Sequence, residues 1–348
     1  MTPMTASGRS GFPLVSICIP AFNAGAFLAE TLESALGQDY PHLEIIVSDD
    51  CSQDNTLEIA KKYESAGVRL ICQSANLGRS DNCNAVIRAS RGKYICKLDA
   101  DDLLEPEYIS QMVPVMEAHP EIAFAHCACR LIDASGALLG YERSIHGSFI
   151  RRGREEYPRY VFGARAVNIV LLRRTGFDAV GGYDGRFVYT GDWKMHRELL
   201  KVGDVFYHDR VLASYRIHSL GKADVPLWQA QEHLMHLQDM DSNWPVEVVG
   251  KERLLATARR RMAMGLVLSA ARVEPEVARA VLSYLPLYGN FVGARLVARL
   301  VQGGGAALVR GYCRQKLRLR QWVKKLLYKN RGCRWQGSFR GFRSAEQR

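Results

Sequence analysis

The sequence predicts an α/β protein with a mostly parallel sheet flanked by helices, followed by a basic helical C-terminal region. Over residues 14–125, short runs of apolar, β-branched residues alternate with stretches of helical periodicity. Such alternation is typical of strand–helix–strand units joined by right-handed crossovers. Residues 1–250 carry 25 Lys and Arg against 32 Asp and Glu, whereas residues 251–348 carry 22 against 4. We therefore expect an acidic folded domain with a basic extension.

Each strand is predicted where apolar residues run together between turn signals, and each helix where apolar side chains recur every three or four positions. Pro20 ends the first strand, and Asp54 or Asn55 can cap the second helix. In chain order we predict strand 14–19, helix 26–36, strand 43–48, helix 56–66, strand 68–72, helix 81–89, strand 93–98, helix 106–118 and strand 122–129.

The pattern becomes less regular after residue 129. Residues 133–165 are rich in turn residues and lack periodicity, and we expect functional loops there. A strand over 167–172, a helix over 193–201 and a closing strand over 211–217 follow. The predicted organisation is a disordered lead-in over 1–12, an α/β domain over 13–222 and a basic helical extension over 223–348.

The nine cysteines are scattered along the chain and form no Cys-x-x-Cys pair. We interpret them as reduced thiols of a cytoplasmic protein, which argues against a disulfide framework or a zinc site. The N-terminus lacks the basic-then-apolar pattern of a secretion signal, and no run approaches the ~18 apolar residues of a membrane-spanning helix.

The segment Asp99-Ala100-Asp101-Asp102 directly follows the predicted strand 93–98. Three carboxylates within four residues repel one another, so we expect a compensating charge nearby. A divalent cation with oxygen ligands would supply that charge and would attract a diphosphate. The end of a parallel strand is also where open α/β sheets bind ligands. The alternative is an acidic turn before the helix that begins near Pro106.

Four motifs follow the first four strands in order, and they are Ile19-Pro20-Ala21-Phe22-Asn23, Val47-Ser48-Asp49-Asp50-Cys51-Ser52-Gln53-Asp54, Asn76-Leu77-Gly78-Arg79 and Leu98-Asp99-Ala100-Asp101-Asp102. This ordered set resembles the inverting nucleotide-sugar glycosyltransferases of family 2, which have the GT-A fold. The resemblance covers residues 14–218. It implies a nucleotide-sugar donor bound at the ends of these strands.

The resemblance also implies roles for individual residues of the donor site. Asp50, next to Asp49, would accept a hydrogen bond from the base, and Phe22 would stack on that base unless it packs against a helix. Asp99 would face the ribose or a metal ion. The donor-binding residues implied are Pro20, Ala21, Phe22, Asn23, Asp49, Asp50, Arg79, Asp99 and Ala100. Arg79 is included because Cys83 stands where the family often has an arginine.

The metal implied by the resemblance is Mg²⁺ or Mn²⁺, bound through Asp101 with Asp99. Asp102 is expected to be a cap or a support for its neighbours. The later segment Ser214-Tyr215-Arg216-Ile217-His218 looks like the family's Tyr-Arg-x-His segment. There His218 or Arg216 would contact the metal or the diphosphate, although a lone histidine at a strand end is as often a surface or packing residue.

An inverting transfer also needs a base that removes the proton of the acceptor hydroxyl. The resemblance points to Asp192, which opens a helix after the turn at 181–184. The family often has an acidic residue before this aspartate, where Gly191 stands here. The alternative for Asp192 is an ordinary helix cap.

The basic extension contains one amphipathic pattern with membrane-binding character. Apolar residues at 319, 322, 323, 326 and 327 follow helical spacing, and Lys and Arg occupy positions 318, 320, 324, 325 and 329. An apolar stripe with Trp, bordered by basic residues, is typical of a helix in an anionic membrane interface. We expect residues 291–330 to contact such a surface, while packing on the catalytic domain remains an alternative and nucleic acid is not expected.

The sequence thus predicts an inverting, metal-dependent glycosyltransferase. It would use a UDP-sugar to extend a glycan or lipid-linked acceptor in cell-surface polysaccharide synthesis, at the cytoplasmic face of the membrane. A sugar-nucleotide pyrophosphorylase would need a glycine-rich loop after the first strand, which is absent. A decayed transferase that acts as a basic adaptor is a second alternative, and the retained aspartates argue against it. The sugar and the acceptor are not readable from the sequence.

Overall fold

The computed structural model of the chain describes residues 11–144, 147–163, 168–217, 225–270, 275–289, 291–306 and 309. These residues form two compact units. The first comprises 11–156 and 168–217, and the second comprises 157–163 and 225–306. The predicted ligand His218 and the amphipathic pattern at 319–327 lie outside the described residues.

The first unit alternates strands and helices along most of its length. Its elements are β1 (Val15–Ala21), α1 (Leu28–Leu36), β2 (Leu43–Asp49), α2 (Thr56–Lys62), β3 (Val68–Cys72), α3 (Arg79–Ala89), β4 (Tyr94–Lys97), β5 (Leu103–Leu104), α4 (Tyr108–Ala118), β6 (Ile122–Ile132), β7 (Leu138–Glu142), β8 (Phe149–Arg151), α5 (Gly153–Tyr160), β9 (Val170–Arg173), α6 (Arg174–Ala179), α7 (Gly191–Val202) and β10 (Asp204–Arg216). The helix α5 continues from the first unit into the second.

Among the described residues, ten strands form one sheet in the order β3-β2-β1-β4-β9-β6-β10-β5, with β7 beside β6 and β8 beside β10. The strands β3, β2, β1 and β4 are mutually parallel, and β10 is parallel to β6. By contrast, β9 runs antiparallel to both β4 and β6, and β5, β7 and β8 are antiparallel to their partners. The predicted α/β class is confirmed, while the sheet is mixed, with parallel pairing among its first four strands and between β6 and β10.

The central strand β1 lies in the apolar core of this unit. Its side chains at Val15, Ile17 and Ile19 are fully buried, and α1 packs Leu28 and Leu32 into the same core. Full burial of each such side chain stabilises the fold by ~1.5–3 kcal/mol. The core therefore holds the parallel strands, and the loops at their C-terminal ends, in fixed positions.

The observed elements differ from the predicted ones where a distant partner stabilises a strand. The strand β1 continues through Pro20, which pairs in register with Ser48 of β2. Its ladder with β4 already ends at Cys18, so the missing N–H of Pro20 interrupts no bond of that ladder. Residues 133–165 contain β7, β8 and α5 because β6 and β10 supply pairing partners for the two short strands.

The second unit is helical. It contains α8 (Val225–Ser242), α9 (Lys251–Ala270), α10 (Pro275–Ser283) and α11 (Val292–Leu300), with a short 3₁₀ helix at Leu285–Tyr288. The Tyr288 hydroxyl donates to the carbonyl of Ala230 at 2.6 Å, which ties the 3₁₀ helix to α8. Within the described ranges, no helix is both long enough and apolar enough to cross a membrane.

Candidate active site

The C-terminal ends of β1, β2 and β4 meet at one edge of the sheet. Ala21 is in register with Asp49, and Cys18 is in register with Lys97. The backbone N–H of Asp50 donates to the carbonyl of Ala21 at 2.8 Å, which joins the loops after β1 and β2. The polar residues that follow the three strands are therefore neighbours, as expected for parallel strands.

Asp50 organises the loop that leads into α3. Its Oδ1 accepts the N–H of Leu77 at 2.7 Å, and its Oδ2 accepts the N–H of Gly78 at 3.0 Å. The Asn76 amide also donates to the Asp50 carbonyl at 3.2 Å. Both carboxylate oxygens of this buried residue therefore already have a backbone partner. Each oxygen retains a second lone pair for a ligand.

Asp49 presents a different environment, although it is equally buried. Its Oδ2 accepts the N–H of Ser52 at 3.2 Å. Its Oδ1 is buried and has no hydrogen-bond partner in the part of the chain that the structure describes. Because a buried acceptor without a partner is costly, this oxygen is well suited to a ligand that brings its own N–H group.

Phe22 and Asn23 form the loop beyond β1. Phe22 is 48% exposed, so the structure excludes the helix-packing alternative for this ring. Asn23 adopts a left-handed backbone with φ of 48°. Its N–H donates to the Ser52 hydroxyl at 3.0 Å, and its side-chain oxygen accepts the N–H of Gln53 at 2.8 Å. Asn23 thus fastens this loop to the loop after β2 and leaves Phe22 exposed.

The acidic segment after β4 contains its own compensating charge. Asp99 Oδ1 accepts a bond from the buried Lys97 ammonium at 2.5 Å, and Asp99 Oδ2 accepts the Asn168 amide at 2.9 Å. Burial alone raises the pKa of Asp99, but the positive charges of Lys97 and Arg79 lower it below its usual value. Asp99 is therefore held ionised and in one orientation.

Asp102 is fully buried behind this segment. Burial, and then the charges of Asp101 and Asp99, raise the pKa of Asp102 well above its usual value. Its Oδ1 accepts the backbone N–H of Arg216 at 2.8 Å. Asp102 therefore holds β10 next to the acidic segment.

Arg216 anchors the peptide of Asp101. Its Nε donates to the Asp101 carbonyl at 2.8 Å, its guanidinium pairs with Glu30 at 2.7 Å, and it lies over the Phe27 ring at 4.8 Å. The side chain is only 1% exposed. This burial contradicts the expectation that Arg216 contacts a diphosphate or metal, because its donors already bind protein oxygens.

Asp192 lies in the first turn of α7 and lines one cavity with Lys97 and Asn168, the two residues whose side chains bond to Asp99. Burial raises the pKa of Asp192 above its usual value of 3.8, while the nearby charge of Lys97 opposes that effect. Arg79 is solvent-exposed and lines the same cavity. Desolvation alone would lower the pKa of Arg79, but surrounding carboxylates raise it. These carboxylates belong to Asp99, Asp101 and Asp192.

The segment before α7 is held against α3. The Asn84 amide donates to the Tyr183 carbonyl and accepts its N–H, both at 2.8 Å. Gly182 has φ of 88°, and a Cβ there would come within 2.6 Å of the Asn84 side chain. The Ser80 hydroxyl donates to the Phe187 carbonyl at 2.9 Å. These bonds hold the segment that leads to Asp192 against α3, the helix that begins at Arg79.

The resulting cavity opens to solvent. It is lined by Pro20, Arg79, Ser80, Cys83, Lys97, Asn168, Tyr183, Tyr189, Gly191 and Asp192. Sequence reasoning missed Lys97 and Asn168. A charged residue within the apolar run 93–98 was a usable signal for Lys97, whereas nothing local marks Asn168.

The residues around Asp101 fit a metal that binds together with a diphosphate. Within the described ranges, no group of three or more His, Cys, Asp or Glu could hold a metal ion. Mg²⁺ at nucleotide sites nevertheless needs only one or two carboxylates, with phosphate oxygens and water completing its coordination. Asp101 is partly exposed at the edge, and Arg216 holds its backbone.

Comparison with known families matches residues 16–173 to glycosyl transferase family 2. This match assigns residues 16–173 to glycosyltransferase family 2. The protein is therefore a glycosyltransferase, as the motifs at the strand ends predicted.

Related proteins agree with this family and with the fold. The chain is 30% identical over 222 residues to chondroitin synthase of Escherichia coli, an alignment that covers 61% of this chain and 31% of that protein. Staphylococcus aureus TarS in complex with UDP superposes with a TM-score of 0.59 at 16% identity, covering 87% of this chain and 91% of TarS. The mannosyltransferase PcManGT from Pyrobaculum calidifontis, in complex with GDP-Man and Mn²⁺, superposes with a TM-score of 0.55 at 17% identity. The superposition covers 87% of this chain and 88% of PcManGT. These two structures confirm the GT-A fold.

Proposed function

We propose that this glycosyltransferase moves a sugar from a UDP-sugar to a hydroxyl of a glycan or lipid-linked acceptor, with inversion, in cell-surface polysaccharide synthesis. The observation that carries this proposal is that Asp192, Arg79 and Lys97 line one cavity, and that Lys97 bonds to Asp99. Similarity to a chondroitin synthase and to a UDP-binding neighbour supports the acceptor and donor classes.

The loops after β1 and β2 would bind the nucleoside. The exposed Phe22 ring can stack on the base. The buried Oδ1 of Asp49 can accept the N3–H of uracil, while Asp50 keeps the neighbouring loop in place. This assignment moves the base-reading role from Asp50, which the resemblance implied, toward Asp49.

The diphosphate would lie between Arg79 and Asp101. The guanidinium of Arg79 supplies a permanent positive charge for the phosphate oxygens. Asp101 and the diphosphate would together hold Mg²⁺ or Mn²⁺, and Asp99 would remain engaged by Lys97 and Asn168. Such an ion, when bound, neutralises charge that develops on the departing diphosphate. The Mn²⁺ in the PcManGT complex supports this expectation.

Asp192 would act as the general base. Its carboxylate accepts the proton of the acceptor hydroxyl while that oxygen forms a bond to the anomeric carbon. The bond between the anomeric carbon and the diphosphate oxygen breaks on the opposite side, which inverts the configuration. A raised pKa makes the ionised carboxylate a stronger base than an exposed aspartate.

The proposal is tested by incubating the protein with a panel of nucleotide sugars and Mn²⁺, with glycans and lipid-linked sugars from membranes as acceptors. Acceptor-dependent release of UDP together with a β-linked product from an α-linked donor is the expected result. A product with retained configuration would contradict the inverting mechanism, and release from GDP-sugars alone would contradict the donor class.

We place the enzyme at the cytoplasmic face of the membrane through the basic extension. In α11 the residues Ala294 and Ala298 are buried, whereas Arg295 and Arg299 are exposed. The described helix of the region 291–330, α11, therefore buries its alanine side within the second unit, so the proposed membrane contact shifts to residues 311–330, outside the described ranges. Deletion of 311–348 removes 12 Lys and Arg.

That deletion is expected to abolish sedimentation with liposomes that contain anionic lipid at low salt, because basic residues contribute up to ~1 kcal/mol each at such a surface. Nucleotide-sugar binding should persist. Liposomes of neutral lipid are the control. Failure of the full-length protein to sediment with anionic liposomes would leave packing as the role of the extension.

A further inference from the structure

Lys97 is a charged residue in a strand whose other members are apolar or aromatic. It is 4% exposed, while Ile95, Cys96 and Leu98 around it are fully buried. Burial of an ammonium group is unfavourable unless nearby groups compensate its charge. Asp99 provides that compensation at 2.5 Å. The ion pair explains how the lysine is tolerated, but it engages only part of the ammonium.

An ammonium carries three N–H groups, and each can donate a hydrogen bond. Asp99 is the acceptor that the described structure gives to Lys97, so two N–H groups remain for ligand oxygens or water. Lys97 also lines the cavity, together with Asn168 and Asp192. The unused donors therefore belong to a side chain that faces this space.

The proposed reaction determines what occupies that space. In that reaction Arg79 and Asp101 would bind the diphosphate, and the acceptor hydroxyl would approach Asp192. An in-line displacement requires the anomeric carbon between them, so the transferred sugar lies within the cavity. Lys97 lines that same cavity.

We infer that Lys97 binds the transferred sugar of the donor by donating hydrogen bonds to its oxygens, while its bond to Asp99 holds the ammonium in position. This inference rests on the proposed function. Lys97 then contacts the sugar of the donor and not its nucleotide. Its removal should therefore weaken binding of the nucleotide sugar more than binding of UDP.

The experiment compares the affinities for UDP and for a UDP-sugar by calorimetry with Mn²⁺ present. The UDP-sugar is the one of UDP-glucose, UDP-N-acetylglucosamine and UDP-glucuronate that stabilises the parent most in a thermal-shift assay. The variants are Lys97→Met and Lys97→Arg. The control is Lys93→Met, which removes an exposed lysine paired with Glu117 at 2.6 Å just before β4.

In Lys97→Met, the ratio of UDP-sugar affinity to UDP affinity is expected to fall at least fivefold. Lys97→Arg keeps a positive charge beside Asp99, so UDP affinity should remain near that of the parent. Its planar guanidinium cannot occupy the position of the ammonium, so the ratio should still fall. Lys93→Met should leave both affinities unchanged.

Equal losses of UDP and UDP-sugar affinity in both Lys97 variants would overturn the inference, because Lys97 would then act only through Asp99. An unchanged ratio in Lys97→Arg would overturn it as well, even if Lys97→Met fails to fold. Failure of the parent to bind UDP or any of the three sugars is a different outcome, which would overturn the proposed function itself.

Discussion

An aspartate after β4, Asp99, bonds to two residues that line the cavity, and an aspartate at the start of α7, Asp192, lines the cavity itself, yet their surroundings shift the two pKa values in opposite directions. Asp99 has Lys97 and Asn168 as direct partners, and its pKa lies below its usual value. Burial is the largest influence on the pKa of Asp192 and raises it above its usual value.

This difference teaches that one residue type can take two roles at one site. A carboxylate held ionised by neighbouring cations is a fixed negative charge and a hydrogen-bond acceptor. A desolvated carboxylate accepts a proton more readily. Pairs of acids whose environments separate their pKa values are a common arrangement in active sites.

The largest expected effect comes from substitution of Asp192, the proposed general base. Asp192→Asn keeps the shape of the side chain but cannot accept a proton, so turnover should fall by ~10²–10⁴ while donor affinity stays near normal. Steady-state kinetics and calorimetry measure the two quantities. Asp184→Asn is the matched control, because Asp184 pairs with the exposed Arg186 in the preceding turn. Full turnover in Asp192→Asn would reduce Asp192 to a helix-capping residue.

The second prediction concerns the donor side. Asp101→Ala should abolish the gain in nucleotide affinity that Mn²⁺ provides, because the substitution removes the proposed metal carboxylate. The matched control is Asp102→Asn, which preserves an oxygen for the Arg216 N–H and should bind nucleotide as the parent does. Titrations with Mn²⁺ or EDTA check both variants. An unchanged metal effect in Asp101→Ala would show that the metal ligand lies elsewhere.

The third prediction sharpens the comparison through pH. Because Asp192 must be ionised to act as a base, turnover should be constant above its pKa and fall about tenfold per pH unit below it. The raised pKa of Asp192 places this fall at a higher pH than for an exposed aspartate. A pH profile of turnover on saturating donor measures it. The residual turnover of Asp192→Asn should not show this fall at low pH. If the parent and the variant show the same fall, another group is responsible for it.

The smallest expected effect concerns the support of Asp99. Asn168→Ala removes one of the two side-chain bonds to that carboxylate and leaves the Lys97 ion pair in place. Loss of one hydrogen bond of ~0.5–1.5 kcal/mol predicts donor binding weaker by about two- to tenfold. Calorimetry with UDP checks the size of the loss. A much larger loss would indicate that Asn168 itself contacts the donor.

The second unit contains none of the predicted donor-site or catalytic residues. Its helices α9 and α11 bury one side each, with Leu255, Met262 and Ala294 among the buried residues. The basic pattern that suggested membrane binding lies mostly at 311–330, outside the described ranges. The membrane role therefore remains a proposal based on composition.

The sequence by itself determined the strand and helix order from Val15 to Lys97 and the acidic residues at the strand ends. These features follow from local periodicity, and parallel strands with crossovers necessarily bring their C-terminal ends to one edge. The Asp192 position at a helix start was equally local. The family resemblance followed from the same contiguous motifs.

Only the tertiary structure decided how those residues are used. The antiparallel insertion of β9 depends on partners far away in sequence, and it brings Asn168 to Asp99. Burial of Arg216 removes it from the donor site, although its motif suggested a ligand contact. The opposite pKa directions of Asp99 and Asp192 also depend on desolvation and on distant charges. These quantities have no local signature, because they are properties of the assembled cavity rather than of any one segment.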